Sequence, residues 1–540
     1  MTFDQMAMNM AGKLNVGQQG AVITQGPKGP GLIYAGQTIH DADNPVDEAL
    51  GWIKNCGRGG GKPGLALVFG LGLGWHLKML RKQYPKIKLV VFEPVLALKD
   101  AYERNTVMTE ADGPPPMIIT EWQEYEKTAG KEIVYGEQSG MLVVSPDGYR
   151  TIKPEAYIAF ERYARRELMR RAVVDRTRES TGWDFLKNLS HNAGLTAEYP
   201  DLMILRGRLP ARPAFVVGSG PSLDKNVDEL RNVGSNGLIL AASSALKPLL
   251  AHGVSPDVVV VIESSDTSDY LKLSPEEMEV MGPNTVLALA SSCHPNHFKV
   301  EGFHKALFHL TAGEAQTFSQ GVFLPQGGNA GSTAFSLAYT LGLAPLILVA
   351  QDQAFEDGKL HAGNTPGEED LGDVEYITVE GIGGGEVQTD SGLLASINWF
   401  VEAARTVNES SSGSVSLFNA SASGARLAGF NEVPLGSIVA SLAPVQSKLD
   451  LAAVLPKLPR PTNKEVYDDV AQMAKIVSTL RRFATMDPKK AYEEINNVRQ
   501  ISRFLGQVLA EASVSGNRSD LVNAMNKADE LMTVMLTSLS

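Results

Sequence analysis

The chain has 540 residues, a formal net charge of −12, 43% hydrophobic residues and 20% charged residues. A single hydrophobic core stops growing near about 250 to 300 residues, so this length predicts several domains, and the ordinary composition excludes a mainly disordered chain. The negative charge argues against a nucleic-acid partner, because binding along a phosphate backbone needs clustered Lys and Arg.

Cysteine content and apolar runs predict a cellular compartment. The only cysteines, Cys56 and Cys293, predict no disulfide framework and a reducing compartment. Residues 1–4 lack the basic and apolar segments of a secretory signal. The uncharged run at residues 333–350 contains a glycine and a proline, which favours helix, turn and buried strand over a membrane span. We therefore expect a soluble, cytoplasmic protein without a membrane span.

The first predicted elements form a βαβ unit. A strand at residues 65–69 is followed by a glycine turn at 70–74, a helix to about residue 83 and a strand at 88–92 that ends at Glu93. The turn could bring a ligand to a helix start, with Glu93 accepting ribose hydroxyls, or it could serve packing only. The spacing departs from the dinucleotide fingerprint, and the residues leave both interpretations open.

A second α/β series follows a charged helical segment at residues 154–192 and the prolines at 210 and 213. Short apolar strands alternate with helices, which predicts a parallel sheet covered on both faces. The predicted strands are residues 214–217, 237–241, 257–262, 285–290 and 346–350, and the predicted helices are 224–231, 246–252 and 333–341. Ligands on such sheets bind beyond the carboxyl ends of the strands, so candidate site residues are sought there.

Beyond Pro461 the pattern predicts helices only, with apolar stripes near residues 466–480, 495–505 and 521–532 that suit a small bundle. The predicted fold class is therefore α/β with a helical end. Its predicted domains are an N-terminal Rossmann-like domain with a helical connector (1–190), a central Rossmann-like domain (191–445) and a C-terminal α-helical domain (446–540).

The clearest candidate site is the turn after the first strand of the second series. It consists of Gly218, Ser219, Gly220, Pro221 and Ser222, and it precedes a predicted helix. Backbone N–H groups at a helix start can hold a phosphate, and the serine hydroxyls suit hydrogen bonding to a nucleotide. Because no Gly-Lys-Ser/Thr is present, this is not the turn of a P-loop hydrolase.

Other polar residues follow the remaining strands and should reach the same edge. They are Ser243 and Ser244, then Glu263, then Gly327, Gly328, Asn329 and Ser332 before a helix, and finally Gln351 and Asp352. Glu263 and Asp266 do not form the paired carboxylates typical of metal-bridged diphosphate binding, so no metal is predicted.

Histidines supply candidate bases. His361 lies in a polar loop after Asp352, and a neutral imidazole there could remove a proton from an acceptor hydroxyl. An exposed loop histidine without a role is the competing interpretation. His294 and His297 are the next candidates, and together with Cys293 they match no zinc-binding spacing.

Several motifs in order carry a resemblance to a known family. They are VVGSGPSL at residues 216–223, ALKPLLAHGVSPD at 245–257, LVAQDQAF at 348–355 and NASASGARLAG at 419–429. Over about residues 60–440 the chain resembles the motility-associated factor family of flagellin glycosyltransferases. The resemblance implies a central glycosyltransferase domain of the GT-A/sialyltransferase-like kind, similar to bacterial CMP-sialic-acid transferases.

This resemblance also implies a reaction. A nonulosonic acid such as pseudaminic or legionaminic acid would pass from its CMP-activated form to Ser or Thr of flagellin, with inversion, with a histidine base and without metal or cofactor. The donor-binding turn then corresponds to Gly218, Gly220, Pro221 and Ser222, and catalysis to His361 with Asp352. Glu263 stands where the family pattern has Asp, which leaves its role open.

Two other functions remain open at this level. The central domain also resembles archaeal 6-hydroxymethylpterin diphosphokinases, which need ATP and Mg²⁺. A chain that binds flagellin without catalysis is the second alternative.

Overall fold

The computed structural model of the protein describes residues 20–59, 63–135, 140–196, 198–311, 314–315, 322–366, 374–445, 447–458 and 518–539, with a few short stretches between 462 and 478. Two compact units make up the chain, Met1–Arg176 and Thr177–Ser540. The three domains expected from the sequence stay a prediction.

The first unit opens with a three-stranded antiparallel sheet. Its strands are β1 (Val22–Gly26), β2 (Gly29–Tyr34) and β3 (Gln37–His40). Helix α1 (Pro45–Lys54) follows, with Pro45 at its first position and acidic residues in its first turn, both of which favour a helix start.

A five-stranded sheet forms the core of this unit, in the order β4-β8-β5-β6-β7. Its strands are β4 (Gly57–Gly59), β5 (Pro63–Phe69), β6 (Lys88–Phe92), β7 (Met117–Ile119) and β8 (Gly140–Val144). The helices are α2 (Trp75–Gln83), α3 (Leu96–Asn105), α4 (Trp122–Tyr135), α5 (Gly148–Ile152) and the long α6 (Pro154–Asn192), whose residues after Arg176 belong to the second unit. All neighbouring strands are parallel except β4 and β8, so the predicted βαβ unit is present as β5, α2 and β6.

The second unit contains an eight-stranded parallel sheet in the order β13-β12-β11-β10-β9-β14-β17-β18. The strands are β9 (Ala214–Val217), β10 (Leu238–Ala242), β11 (Val258–Val261), β12 (Val286–Ala290), β13 (His304–Phe308), β14 (Leu346–Val349), β17 (Leu417–Asn419) and β18 (Asn431–Glu432). A separate hairpin consists of β15 (Ile377–Glu380) and β16 (Glu386–Thr389). The central strands are buried throughout, which explains their continuous apolar runs.

Some helices of this unit connect the strands and cover the sheet, and others come after the last strand along the chain. They are α7 (Leu223–Asn226), α8 (Leu246–Ala251), α9 (Pro275–Met281), α10 (Ala330–Thr340), α11 (Ser391–Ser410), α12 (Leu435–Ala440), α13 (Leu451–Val454) and α14 (Arg518–Leu539). In the predicted C-terminal bundle, α14 buries Met525, Ala528 and Met532 of one predicted stripe. The predicted stripe near residues 495–505 lies outside the described residues. In the described part of the chain, no helix is long and apolar enough to cross a membrane.

The predicted helix at residues 224–231 is not continuous. Helix α7 ends at Asn226, and a 3₁₀ segment occupies Val227–Asn232. The Asn226 side chain is buried and donates to the carbonyl of Ala420, and its φ of −138° is not helical. A tertiary contact therefore interrupts the helix at this residue.

The order of strands fixes where a ligand can bind. From β9 the chain adds β10 to β13 on one side, whereas β14, β17 and β18 extend the sheet on the other side. The order therefore reverses between β9 and β14, and in open α/β sheets ligands bind at the carboxyl ends of the strands at such a switch point.

Candidate active site at the switch point of the second sheet

The glycine turn after β9 packs directly against the end of β14. Gly218 N donates to Val349 O at 2.9 Å, and Gly220 N donates to Ala350 O at 3.1 Å. A Cβ atom on Gly220 would lie 2.5 Å from Asp352 Oδ2. Glycine is required here because any side chain would collide with the neighbouring segment.

Both carboxylate oxygens of Asp352 accept hydrogen bonds from Ser222 of the turn. Ser222 N donates to Oδ2 at 2.7 Å, and the Ser222 hydroxyl donates to Oδ1 at 2.5 Å. Both residues are buried. Burial raises the pKa of Asp352 to about 6, although the two Ser222 hydrogen bonds oppose that change. A ligand phosphate could reach the Ser222 donors only by displacing the Asp352 carboxylate. The geometry therefore gives Ser222 and Asp352 a structural role. Donor binding by Ser222 and catalysis by Asp352 stay predictions.

The structure brings the predicted base to the same turn. His361 Nδ1 lies 3.1 Å from Ser219 Oγ, and Ser219 Oγ lies 2.8 Å from Ser244 Oγ. The loop of His361 is tied to the turn by Ala362 N, which donates to Ser219 O at 2.8 Å. A half-buried imidazole, two serine hydroxyls and the glycine turn therefore meet at the switch point.

Ser243 and Glu263 pair with each other further along the sheet edge. Ser243 Oγ donates to Glu263 Oε1 at 3.1 Å, and Ile262 N donates to Oε2 at 3.0 Å. Burial raises the pKa of Glu263, and these hydrogen bonds oppose that change. Both residues lie at the predicted edge, and their polar atoms bond within the protein.

The second glycine-rich segment forms the cap of α10. Asn329 Oδ1 accepts the N–H of Ser332 at 2.8 Å, and the Ser332 hydroxyl accepts the N–H of Gly327 at 2.8 Å. A Cβ atom on Gly331 would lie 2.3 Å from Gln351 Oε1, so this helix start adjoins the end of β14. The exposed Gly328 has a φ of +88°, which favours glycine. The segment lies near the switch point, but most of its polar groups cap the helix.

Backbone strain concentrates around Asp352. Ala350 and Gln353 have φ values of +51° and +50°, and such conformations in residues other than glycine cluster at functional sites. Gln353 is buried, and its Oε1 has no hydrogen-bond partner among the described residues. Gly424, with φ +111°, would place a Cβ atom 2.5 Å from Asp352 Cα. Neither Gln353 nor Gly424 was predicted as a site residue from the sequence, although both lie within the quoted motifs.

The alternative histidines have partners away from the glycine turn. His294 Nδ1 accepts the N–H of Asn296 at 3.3 Å, and His297 Nε2 lies 3.0 Å from Thr267 Oγ1. Burial lowers the pKa of His297 to about 4. Across the described ranges, no group of three or more His, Cys, Asp or Glu residues could hold a metal ion.

The glycine turn of the first unit is filled by the protein's own side chains. A Cβ atom on Gly72 would lie 2.0 Å from His40 Nε2, and one on Gly70 would lie 2.3 Å from the Tyr149 ring. The buried Glu93 accepts the N–H of Leu71 at 2.8 Å and the hydroxyl of Tyr149 at 2.6 Å. Of the two interpretations left open by the sequence, this geometry supports packing.

Comparisons with known proteins agree with this architecture. A family model described as 6-hydroxymethylpterin diphosphokinase MptE-like matches residues 184–358. No curated protein matches the chain. Among solved structures, the MAf glycosyltransferase from Magnetospirillum magneticum AMB-1 is similar, with 16% identity, a TM-score of 0.56, and coverage of 99% of this chain and 93% of that chain.

At this identity the likeness establishes a shared fold. The chain is therefore a mixed α/β protein with parallel sheets of the Rossmann-like kind, as the sequence predicts. One solved protein that shares this fold, over 93% of its own length, is the MAf glycosyltransferase.

Proposed function

We propose that the protein is a glycosyltransferase that moves a nonulosonic acid from a CMP-activated donor to Ser or Thr of flagellin. The observation that carries the proposal is the contact between His361 and Ser219 at the switch point, in a fold shared with a MAf glycosyltransferase. Ligands of open α/β sheets bind at this position, and an imidazole is suited to take a hydroxyl proton.

The chemistry needs few protein groups. The acceptor oxygen attacks the anomeric carbon of the sugar as the bond to the CMP oxygen breaks, CMP leaves with the bonding electrons, and the hydroxyl proton passes to His361. The configuration at the anomeric carbon is inverted because attack and departure occur on opposite faces. Positioning and proton removal supply the catalysis, and no cofactor or metal is part of the proposal.

The proposed donor site extends along the sheet edge from the turn after β9. We assign the donor contact to the backbone of Gly218, Gly220 and Pro221, and we assign Ser219 and Ser244, which lie beside His361, to the histidine and not to the donor. Ser222 and Gln351 are buried and bonded within the protein, so we give them a supporting role and not a donor contact. Donor binding through Ser222 would require Asp352 to move.

The decisive experiment mixes the purified protein with a CMP-nonulosonic acid and unmodified flagellin. We expect CMP release together with an increase in the intact mass of flagellin by one sugar residue. CMP release without a mass change would mean hydrolysis and would contradict transfer to flagellin. Flagellin that binds without CMP release or a mass change would favour the non-catalytic binding factor.

A second candidate function is pterin diphosphate transfer, which the family match over residues 184–358 favours. This reaction moves a diphosphate from ATP to the hydroxymethyl group of a pterin and releases AMP. Incubation with ATP, Mg²⁺ and 6-hydroxymethylpterin tests it directly. AMP formation that depends on the pterin would replace the glycosyltransferase proposal, whereas its absence would leave CMP-sugar transfer as the better assignment.

A further inference from the structure

The hydroxyl of Ser219 connects two other polar groups of the site. Its Oγ lies 2.8 Å from Ser244 Oγ and 3.1 Å from His361 Nδ1. A hydroxyl carries one proton, so Ser219 can donate to only one of these two neighbours. For a neutral ring, the direction of that single proton determines whether Nδ1 of His361 can accept from Ser219 or can only donate to it.

Two arrangements are possible for a neutral ring. If Ser219 donates to His361 Nδ1, the ring carries its proton on Nε2, and neither nitrogen is then ready to receive an acceptor proton. If Nδ1–H donates to Ser219, Nε2 is the unprotonated nitrogen, and Ser219 can pass its own proton to Ser244. Only the second arrangement persists when the ring becomes an imidazolium, because both ring nitrogens then donate.

We infer that Ser219 is a positioning residue that holds His361 in the Nδ1–H tautomer, with Ser244 accepting the Ser219 hydroxyl proton, so that Nε2 is the basic nitrogen. This inference rests on the proposed function for its catalytic meaning. The tautomer itself is a property of the free protein.

The surroundings of the contact favour a fixed geometry. Ser219 is buried, so water competes weakly for its hydroxyl. The backbone of the His361 loop is tied to the turn by Ala362 N, which donates to Ser219 O at 2.8 Å, and by Gly363 N, which donates to Asp224 Oδ2 at 2.9 Å. These bonds keep the imidazole beside one hydroxyl, which is how a neighbouring group selects a histidine tautomer.

The tautomer can be measured without any substrate. The full chain is labelled with ¹⁵N-histidine, and the two ring nitrogens of His361 are assigned by comparison with His361→Gln among the nine histidines. At a pH where the ring is neutral, we expect Nδ1 to show the shift of a protonated nitrogen and Nε2 that of an unprotonated one. The reverse pattern would overturn the inference, whether or not the protein transfers sugar.

Kinetics separate positioning from donor binding. Ser219→Ala should lower kcat for transfer roughly 10- to 100-fold, as expected when a reacting group is misplaced, and should leave the donor KM nearly unchanged. In the His361→Gln background, Ser219→Ala should have no further effect, because the two residues act as one unit. The exposed Ser437 on α12 supplies the control Ser437→Ala, with unchanged kinetics.

The outcomes are distinguishable. A raised donor KM with unchanged kcat in Ser219→Ala, or additive losses in the double variant, would show that Ser219 acts on the donor and would overturn the positioning role. Absence of transfer by the unmodified protein would remove the proposed function, and the ¹⁵N pattern would still decide the tautomer.

Discussion

His361 is the residue on which the proposed reaction depends most. An acceptor hydroxyl stays protonated at neutral pH, so a base must act as the bond to the sugar forms. His361→Ala should therefore lower the transfer rate by roughly a hundredfold or more, while calorimetry should show donor binding close to that of the unmodified protein. His304→Ala is a suitable control, because His304 is exposed at the amino end of β13, away from the switch point. Full activity of His361→Ala would assign the proton to another group.

Asp352 should make stability depend on pH in a definite direction. Its pKa rises from an ordinary value of 3.8 to about 6, chiefly because of burial. The folded protein therefore holds the Asp352 proton more tightly than the unfolded chain does. The contribution of Asp352 to the free energy of unfolding falls as pH rises from about 4 through about 6 and then levels off. One pKa unit corresponds to about 1.4 kcal/mol, which places the total near 3 kcal/mol.

Asp352→Asn isolates this effect. The amide oxygen can accept the N–H of Ser222, and the amide nitrogen can donate to the Ser222 hydroxyl, so both contacts can still form, the second with its direction reversed. Thermal unfolding across pH 4 to 7 should show the variant gaining stability relative to the unmodified protein as pH rises. A constant difference across this range would contradict a raised pKa at Asp352.

At the scale of elements, the glycine turn after β5 should tolerate no side chain. Gly72 has a φ of +49°, and its Cβ atom would lie 2.0 Å from His40 Nε2. Gly36 also has a positive φ, +76°, but among the described residues no atom lies within 4 Å of its Cβ position. Gly36→Ala should therefore cost about 1 kcal/mol from the backbone conformation alone.

Gly72→Ala should cost the same amount plus roughly 1 to 3 kcal/mol for the collision. Urea unfolding of the full chain, followed by tryptophan fluorescence, measures both variants, since Trp52, Trp75 and Trp122 lie in the first unit. Equal destabilisation of the two variants would mean that His40 moves aside without cost.

At the scale of the whole molecule, chelation should leave sugar transfer intact. CMP departs as a monophosphate, which needs less charge neutralisation than a diphosphate. The carboxylates that follow β11 are bonded within the protein, Glu263 to Ser243 and Asp266 to Ser268 and Asn296. Loss of transfer in EDTA that Mg²⁺ or Mn²⁺ restores would instead make Glu263 and Asp266 candidate ligands.

Local residue patterns were enough to predict the central strands of the second sheet and the edge that carries the polar residues. Strands such as Val258–Val261 are buried on both faces, so a continuous apolar run identifies them without knowledge of their neighbours. The glycine turn after β9 was also recognisable, because close backbone approach excludes other residues there.

Which of these polar groups contact each other is known only from the folded chain. Ser219 and His361 are 142 residues apart, and Ser222 and Asp352 are 130 residues apart. Their contacts arise because β9 and β14 pair in parallel at the centre of the sheet, with Val217 opposite Val349. The apolar pattern of one strand shows which residues are buried, but it does not show which strand lies beside it, because strand order depends on the packing of the complete core. For the same reason, the sequence could place Ser222 in the turn but could not reveal that Asp352 already occupies its hydrogen bonds.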